Sequence, residues 1–314
     1  MMKGMQTTLK GAVEVRGVGL HSGSGVRMRL APAPVNHGVI FIRTDMGGAE
    51  VPALWNRVVD TRLSTVLEDA VTRARVGTVE HLMAALAGVG VDNARVYLDG
   101  PEVPVMDGSS APFVEAIETV GLARQGAARR YIQVRKPVRV SGGAGQAAML
   151  APAEAAHFAC SIDFAHPAIG RQDAALTLTP AAFRAEVASA RTFGFACEVE
   201  AMRAAGLARG GSLENAVVFG NSGPLNPEGL RAPDECARHK LLDAVGDMAL
   251  AGTPMLAAYT AERPSHGLNN ALLAALFADR SAWTLVEEGV ADIAQAALLV
   301  CARGNRRPAQ IARA

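Results

Sequence analysis

One helix constrains this chain more than any other segment. It follows Pro233, with Asp234 in the N-cap position, and it stops at Gly252, with Pro254 beyond. Within it, the run Arg238-His239-Lys240-Leu241-Leu242-Asp243-Ala244-Val245-Gly246-Asp247 carries two stripes. His239, Asp243 and Asp247 recur every fourth residue and share one face, while Leu241, Leu242, Val245 and Leu250 are apolar. A helix with ionisable groups beside a buried stripe packs along its length, and its charged face looks like a cleft wall.

Imidazole and carboxylate at this spacing can supply two corners of a zinc site. A third candidate corner lies far upstream in Thr78-Val79-Glu80-His81-Leu82-Met83-Ala84-Ala85-Leu86, where Glu80 directly precedes His81. Two histidines and one carboxylate leave a fourth zinc position open to water, the arrangement of a hydrolytic site rather than a structural one. Taken alone, a His–Asp pair on a helix is commonly a surface ion pair or a capped core histidine, and spacing does not separate these readings. A zincin matches poorly: H-E-x-x-H needs both histidines on one helix, and Ala85 stands where the second would be.

With 314 residues, half of them apolar and 19% charged, the chain can build two packed domains and is not disordered. A net charge of +1 gives no electrostatic footprint for nucleic acid. Cys160, Cys197, Cys236 and Cys301 form no CxxC pair and suggest a reduced, cytoplasmic protein. The first residues lack the apolar region of a signal peptide, and apolar runs are broken by Gly and Pro before they reach membrane-spanning length, so no stable membrane insertion is expected.

Short alternating segments at 26–30, 39–42 and 94–98 read as strands, and helices are predicted over 78–88, with Thr78 as N-cap, and over 111–121, with Ser109 or Ser110 as cap. A second set of strands follows at 131–140, 157–164 and 215–219, with helices at 180–188, 195–206, 234–251 and 265–278. The mixture implies an α+β layer architecture, and an echo between its halves would fit two similar sheet-plus-helix domains facing each other. The boundaries are drawn at 1–126 for the first domain and 127–300 for the second, with 301–314 as a frayed basic tail. Glu80-His81 and Arg238-His239 both place a histidine just before an apolar helical stripe, a faint echo between the halves.

Seven motifs in one order stop being generic. They are Gly17-Val18-Gly19-Leu20-His21-Ser22-Gly23, Thr78-Val79-Glu80-His81-Leu82, Pro104-Val105-Met106-Asp107-Gly108-Ser109-Ser110-Ala111-Pro112-Phe113 and Ala190-Arg191-Thr192-Phe193-Gly194-Phe195. Gly210-Gly211-Ser212-Leu213-Glu214-Asn215-Ala216, the Asp234 to Asp243 segment and Ser265-His266-Gly267-Leu268-Asn269-Asn270 complete the set. In this order, over nearly the whole chain, they closely resemble the UDP-3-O-acyl-N-acetylglucosamine deacetylases, the zinc amidases of lipid A biosynthesis in Gram-negative bacteria. The resemblance implies two α+β domains with the site at their junction, Zn2+ as cofactor and an acylated UDP-amino sugar as substrate; a monomer is expected.

The resemblance also implies roles. His81, His239 and Asp243 match the zinc ligands, Glu80 the general base and His266 the general acid. Thr192 matches a residue that helps stabilise the oxyanion, Asp247 the partner that sets the charge of the acid histidine, and Lys240 and Phe193 substrate contacts. Val199, Met202 and Leu207, usual core residues by their spacing, lie where the family shelters the ester-linked acyl chain. Asp163, Phe164 and His166 fall near the nucleotide-side wall, while Cys236, His21, His37 and His157 read as structural. Ser265, Gly267, Glu214, Ala232 and Ala237 depart from the family's usual residues without touching a proposed ligand. A non-catalytic sugar-nucleotide or lipid-binding paralogue, or a deacetylase of related chemistry with another substrate, are the competing readings.

Overall fold

A computed structural model describes residues 4–287. The first half runs β1 (Met5–Leu9), β2 (Val13–Val18), β3 (Gly25–Pro32), β4 (Val39–Arg43), β5 (Ala49–Pro52), β6 (Val58–Asp60), β7 (Val66–Glu68) and β8 (Arg75–Val76). Helix α1 (Glu80–Val89), β9 (Ala94–Leu98), α2 (Ala111–Val120) and β10 (Leu122–Ala128) close it. Five strands form one sheet in the order β2-β3-β9-β4-β5, and β6, β7 and β8 form a small antiparallel sheet beside it. Period-two burial along β3 turns Val26, Met28 and Leu30 inward, where they share a core with Leu82 and Leu86 of α1.

The second half contains β11 (Arg130–Val134), β12 (Val138–Ser141), β13 (Ala147–Pro152), β14 (Ala156–Phe164) and β15 (Gly170–Thr177). Next come α3 (Pro180–Ala182), β16 (Phe193–Phe195), α4 (Ala196–Ala204), β17 (Val217–Phe219), α5 (Glu235–Ala249), β18 (Met255–Glu262), α6 (His266–Ala278) and β19 (Trp283–Glu287). A seven-stranded sheet forms around β18, which pairs with β11, β13 and β14. Helices α5 and α6 lie on that sheet. The architecture is α+β, as the sequence implied.

The two halves meet where α1 packs on α5. Gly246 makes this approach possible: a Cβ there would sit 2.0 Å from the Glu80 carbonyl oxygen. The first turn of α1 and the middle of α5 therefore touch backbone to backbone, bringing His81 and Glu80 beside the charged stripe of α5.

Several boundaries differ from the sequence reading. Thr78 does not cap α1, because its backbone is left-handed at φ 55° and its hydroxyl donates to Glu102 (2.8 Å); Val79 occupies the cap position. Asp234 takes the cap position of α5, but its carboxylate accepts from Arg238 (2.7 Å) instead of a backbone N–H. Thr179 does cap α3, after which residues 183–187 widen into a π turn. The segment 131–140 is two strands broken at Pro137, and β10 runs past residue 126 because its ladder with β1 continues to Ala128. The tail at 301–314 lies outside the described residues.

Candidate active site

Four pieces of backbone bring the ionisable groups together. The first turn of α1 presents Glu80 and His81; α5 presents His239, Asp243 and Asp247 on successive turns. His266 opens α6, whose start is fixed by the Ser265 hydroxyl accepting from Leu268 N (3.3 Å). The fourth piece is the end of the β6–β7 loop, where Ser64 and Thr65 are buried. All six ionisable groups are buried, although they come from both ends of the sequence.

His81, His239 and Asp243 form one cluster whose potential ligand atoms lie within 4.8 Å of one another. Asp243 Oδ1 is 3.3 Å from His239 Nε2 and 3.7 Å from His81 Nε2, and the two imidazoles meet edge to face at 4.9 Å. Asp243 Oδ1 is buried and has no hydrogen-bond donor, although the other carboxylate oxygen accepts from Lys240 Nζ (2.8 Å). An unpartnered buried carboxylate oxygen is costly, and a cation between the three groups would satisfy it. A tetrahedral ion with bonds of about 2.0–2.2 Å sets its donors about 3.3–3.6 Å apart. The donor set fits such an ion, and the two separations from Asp243 Oδ1, 3.3 and 3.7 Å, lie close to that range. His239 Nδ1 faces the Ala190 carbonyl (3.0 Å), an outer contact that presents Nε2 to the cluster.

Electrostatics agree with that use. Burial holds the His81 imidazole down to about 3, with the neighbouring His239 acting in the same direction, and burial also lowers His239. Both rings are thus neutral and able to donate a lone pair at neutral pH. Burial opposes the Asp243 charge, but its cationic neighbours, His239 when it carries a proton, the Lys240 ammonium and the His266 imidazolium, outweigh it and hold the carboxyl well below the ordinary range.

Glu80 and His266 flank the cluster as a pair of different character. Glu80 Oε1 and His266 Nε2 are 3.8 Å apart. Burial pushes the Glu80 carboxyl up to about 7, against the pull of His266. His266 goes the other way: burial opposes its charge, but Asp247 and then Glu80 lift it to about 9. His266 Nδ1 donates to Asp247 Oδ2 at 2.9 Å, so the charged imidazolium is held with Nε2 toward Glu80 Oε1. At neutral pH this leaves a carboxyl poised to exchange a proton beside an imidazolium able to give one.

Asp247 has further partners that its sequence spacing did not reveal. Its Oδ1 accepts from Thr65 Oγ1 (2.7 Å) and its Oδ2 from Asn269 Nδ2 (2.8 Å), while Asn269 Oδ1 accepts from Tyr259 OH (2.6 Å). Asn269 lies one helical turn after His266, the only sequence signal that could have found it.

Beside the cluster, Phe193 belongs to an aromatic wall with Phe164, Phe195 and Phe219. Lys240 Nζ lies 5.9 Å over its ring. Thr192 is held by its backbone, its N–H donating to Gly108 O and its carbonyl accepting from Val217 N, both at 2.8 Å. Val199, Met202 and Leu207 are half-buried, and α4 contributes no buried residue. Asp163 pairs with Arg263 (2.6 Å), and His166 Nε2 faces the Gly220 carbonyl (2.7 Å). Cys236 is outside the ligand cluster and buried, its thiol pushed up to about 12 by desolvation. His157 is tied to Thr177 and His37 to the Gly38 carbonyl. His21 accepts from Ala208 N through Nδ1 (3.3 Å), while its buried Nε2 lacks a partner.

The pattern of the family described as LpxC, UDP-3-O-acyl N-acetylglycosamine deacetylase, matches residues 6–278. A Myxococcus xanthus protein named UDP-3-O-acyl-N-acetylglucosamine deacetylase is 50% identical over 283 residues, 90% of this chain and 89% of its own length. An Anaeromyxobacter protein of the same name is 51% identical over 274 residues, 87% of this chain and 89% of its own. A third, from Phenylobacterium zucineum, is 48% identical over 293 residues, 93% of this chain and 99% of its own.

Proposed function

This chain belongs to the UDP-3-O-acyl N-acetylglycosamine deacetylase family and is a hydrolase that deacetylates UDP-3-O-acyl-N-acetylglucosamine, and we propose that the buried cluster between α1, α5 and α6 is where it does so. The observation that carries this reading is the convergence of His81 Nε2, His239 Nε2 and an otherwise unpartnered Asp243 Oδ1, with Glu80 and His266 alongside. The product amino sugar nucleotide serves lipid A biosynthesis.

His81, His239 and Asp243 would hold one divalent cation, which we assign as Zn2+ from the nitrogen-rich donor set. Such an ion, when bound, supplies Lewis acidity toward the amide carbonyl and the attacking water. Glu80, adjacent in sequence to a ligand but turned toward His266, takes the proton of that water. The new C–O bond forms as negative charge develops on the carbonyl oxygen, which His266 as imidazolium and the Thr192 hydroxyl stabilise. His266 then gives its Nε2 proton to the departing glucosamine nitrogen, the C–N bond breaks, and acetate and the free 2-amino sugar nucleotide remain. Asp247 keeps His266 charged until that proton is given up.

The substrate is positioned by Lys240 and Phe193, whose charge and ring stand at the edge of the cluster. Its acyl chain runs along Val199 and Met202, half-buried side chains on a helix that packs into no core. We assign two domains, divided where β10 ends at Ala128, that supply Glu80–His81 and His239–Asp243–His266 respectively, in a monomer of the cytoplasm. No helix of the described residues is long and apolar enough to cross a membrane.

The test is metal analysis together with acetate release from the UDP-linked substrate. His239→Ala should lose both bound metal and acetate release. Wild-type metal content and rate in that variant would remove α5 from the site.

A further inference from the structure

Resting on that reading of the site, we infer that Thr65 is a positioning residue that locks the proton-accepting and proton-donating groups into one register. Thr65 is 1% exposed and ends the loop between β6 and β7, outside every helix that carries the ionisable groups. It makes two bonds to two different carboxylates. Its backbone N–H donates to Glu80 Oε2 (3.0 Å), and its hydroxyl donates to Asp247 Oδ1 (2.7 Å).

The two bonds determine which atoms are left for chemistry. With Oε2 tied to Thr65, Glu80 presents Oε1, the oxygen that lies 3.8 Å from His266 Nε2. With Oδ1 tied to the hydroxyl, Asp247 turns Oδ2 toward His266 Nδ1, and Asn269 secures that same oxygen from the far side. Tyr259 fixes the direction of Asn269, since the phenol donates to Asn269 Oδ1 and leaves only the amide N–H for Asp247. The backbone N–H holds Glu80, and the β-branched side chain, with its restricted χ1, holds the hydroxyl toward Asp247, so one residue orients both carboxylates. Glu80 and His266 come from α1 and α6, which both have to keep their angle to α5; among the described residues, Thr65 is the one hydrogen-bonded both to Glu80 of α1 and to Asp247, the α5 partner of His266.

The experiment compares the full-length, metal-loaded enzyme with Thr65→Val, Thr65→Ser and Thr65→Ala, each made alone and in an Asp247→Asn background. Valine keeps the shape and removes the hydroxyl, serine keeps the hydroxyl, and alanine leaves room for a water if valine strains the fold. Thr65→Val should lower kcat on the order of ten-fold with KM and metal content unchanged, and it should also lower the thermal midpoint, since valine leaves a buried Asp247 oxygen without its donor. Thr65→Ser should recover most of the rate. In the Asp247→Asn background, Thr65→Val should cause little further loss, because its effect runs through that carboxylate. A wild-type kcat in Thr65→Val, equal losses in both backgrounds, loss confined to KM or stability, or a serine variant as poor as the valine one would each overturn the inference. These outcomes leave the reading of the site intact as long as Asp247→Asn is itself impaired. An Asp247→Asn enzyme at full rate would instead remove the assigned role of Asp247 and the inference together.

Discussion

Two parts of this molecule that we propose serve one reaction are built on opposite principles. Around Asp247, four backbone segments deliver buried groups, and Thr65, His266 and Asn269 each bond that carboxylate. The stretch from Phe193 to Leu207 has a short strand followed by a helix with no buried residue, leaving Val199 and Met202 half-exposed. Groups that move protons must be prepositioned, since in a low-dielectric site reorganisation is costly. An acyl chain needs only an apolar surface of adequate length, because its transfer from water is non-directional. Rigid chemistry and yielding recognition are the expected consequences, and each can be tested by substitution.

The largest effects should come from the buried region. Glu80→Gln and His266→Ala are each expected to retain metal and to lose on the order of 10²–10⁴ in kcat, the usual span for general acid–base groups. A loss below ten-fold in either would take that residue out of proton transfer. The pH dependence sharpens the same point. Activity needs Glu80 without its proton, so the rate should rise with pH through a limb at about 7 or lower, because a bound cation favours the ionised carboxylate. It also needs His266 with its proton, so the rate should fall as pH passes about 9. These limbs belong to a coupled site; the basic limb should vanish in His266→Ala, and its survival there would contradict the acid role.

Packing comes next. Gly246→Ala places a methyl group 2.0 Å from the Glu80 carbonyl, which forces α1 and α5 apart. Overpacking of this kind costs about 1–3 kcal/mol, and the displacement should also lower kcat by misplacing Glu80. Chemical denaturation with parallel rate measurement checks both; an enzyme of unchanged stability and rate would show that the helix junction tolerates movement.

The smallest effect belongs to the exposed region. Val199→Asp should raise KM for the acylated substrate by about ten-fold, since burying a valine is worth about 1.5–3 kcal/mol. Metal content, stability and the KM of a deacylated analogue should hardly change. Equal losses on both substrates would mean that α4 supports the fold and does not read the chain.

The difference between the regions also governs what could be read from the sequence. His239, Asp243 and Asp247 were legible because helical periodicity alone puts them on one face, and Glu80-His81 because it precedes an apolar stripe. Their roles required the resemblance, since the same spacing serves ordinary ion pairs. Thr65 carries no such signal: it is a loop threonine that becomes buried between two carboxylates only after α1 and α5 pack. Gly246 reads as a weak point in a helix until the Glu80 backbone is placed against it. At Thr78 local propensity favoured a cap, and a tertiary bond to Glu102 with a left-handed backbone prevailed. The half-buried state of Val199 and Met202 was equally hidden, because helical apolar spacing is the same for a core stripe and a substrate wall.

The most direct test titrates metal against acetate release. Wild-type enzyme should be stripped by a chelator and reloaded with increasing Zn2+, while bound metal and acetate from the UDP-linked substrate are measured on the same samples. Acetate release should be lost on stripping and return in proportion to metal, saturating at one ion per chain, while His81→Ala and Asp243→Ala, treated identically, recover neither. Full acetate release from the stripped enzyme, or restored release in the ligand variants, would contradict the assignment of His81, His239 and Asp243 as the metal centre of this reaction.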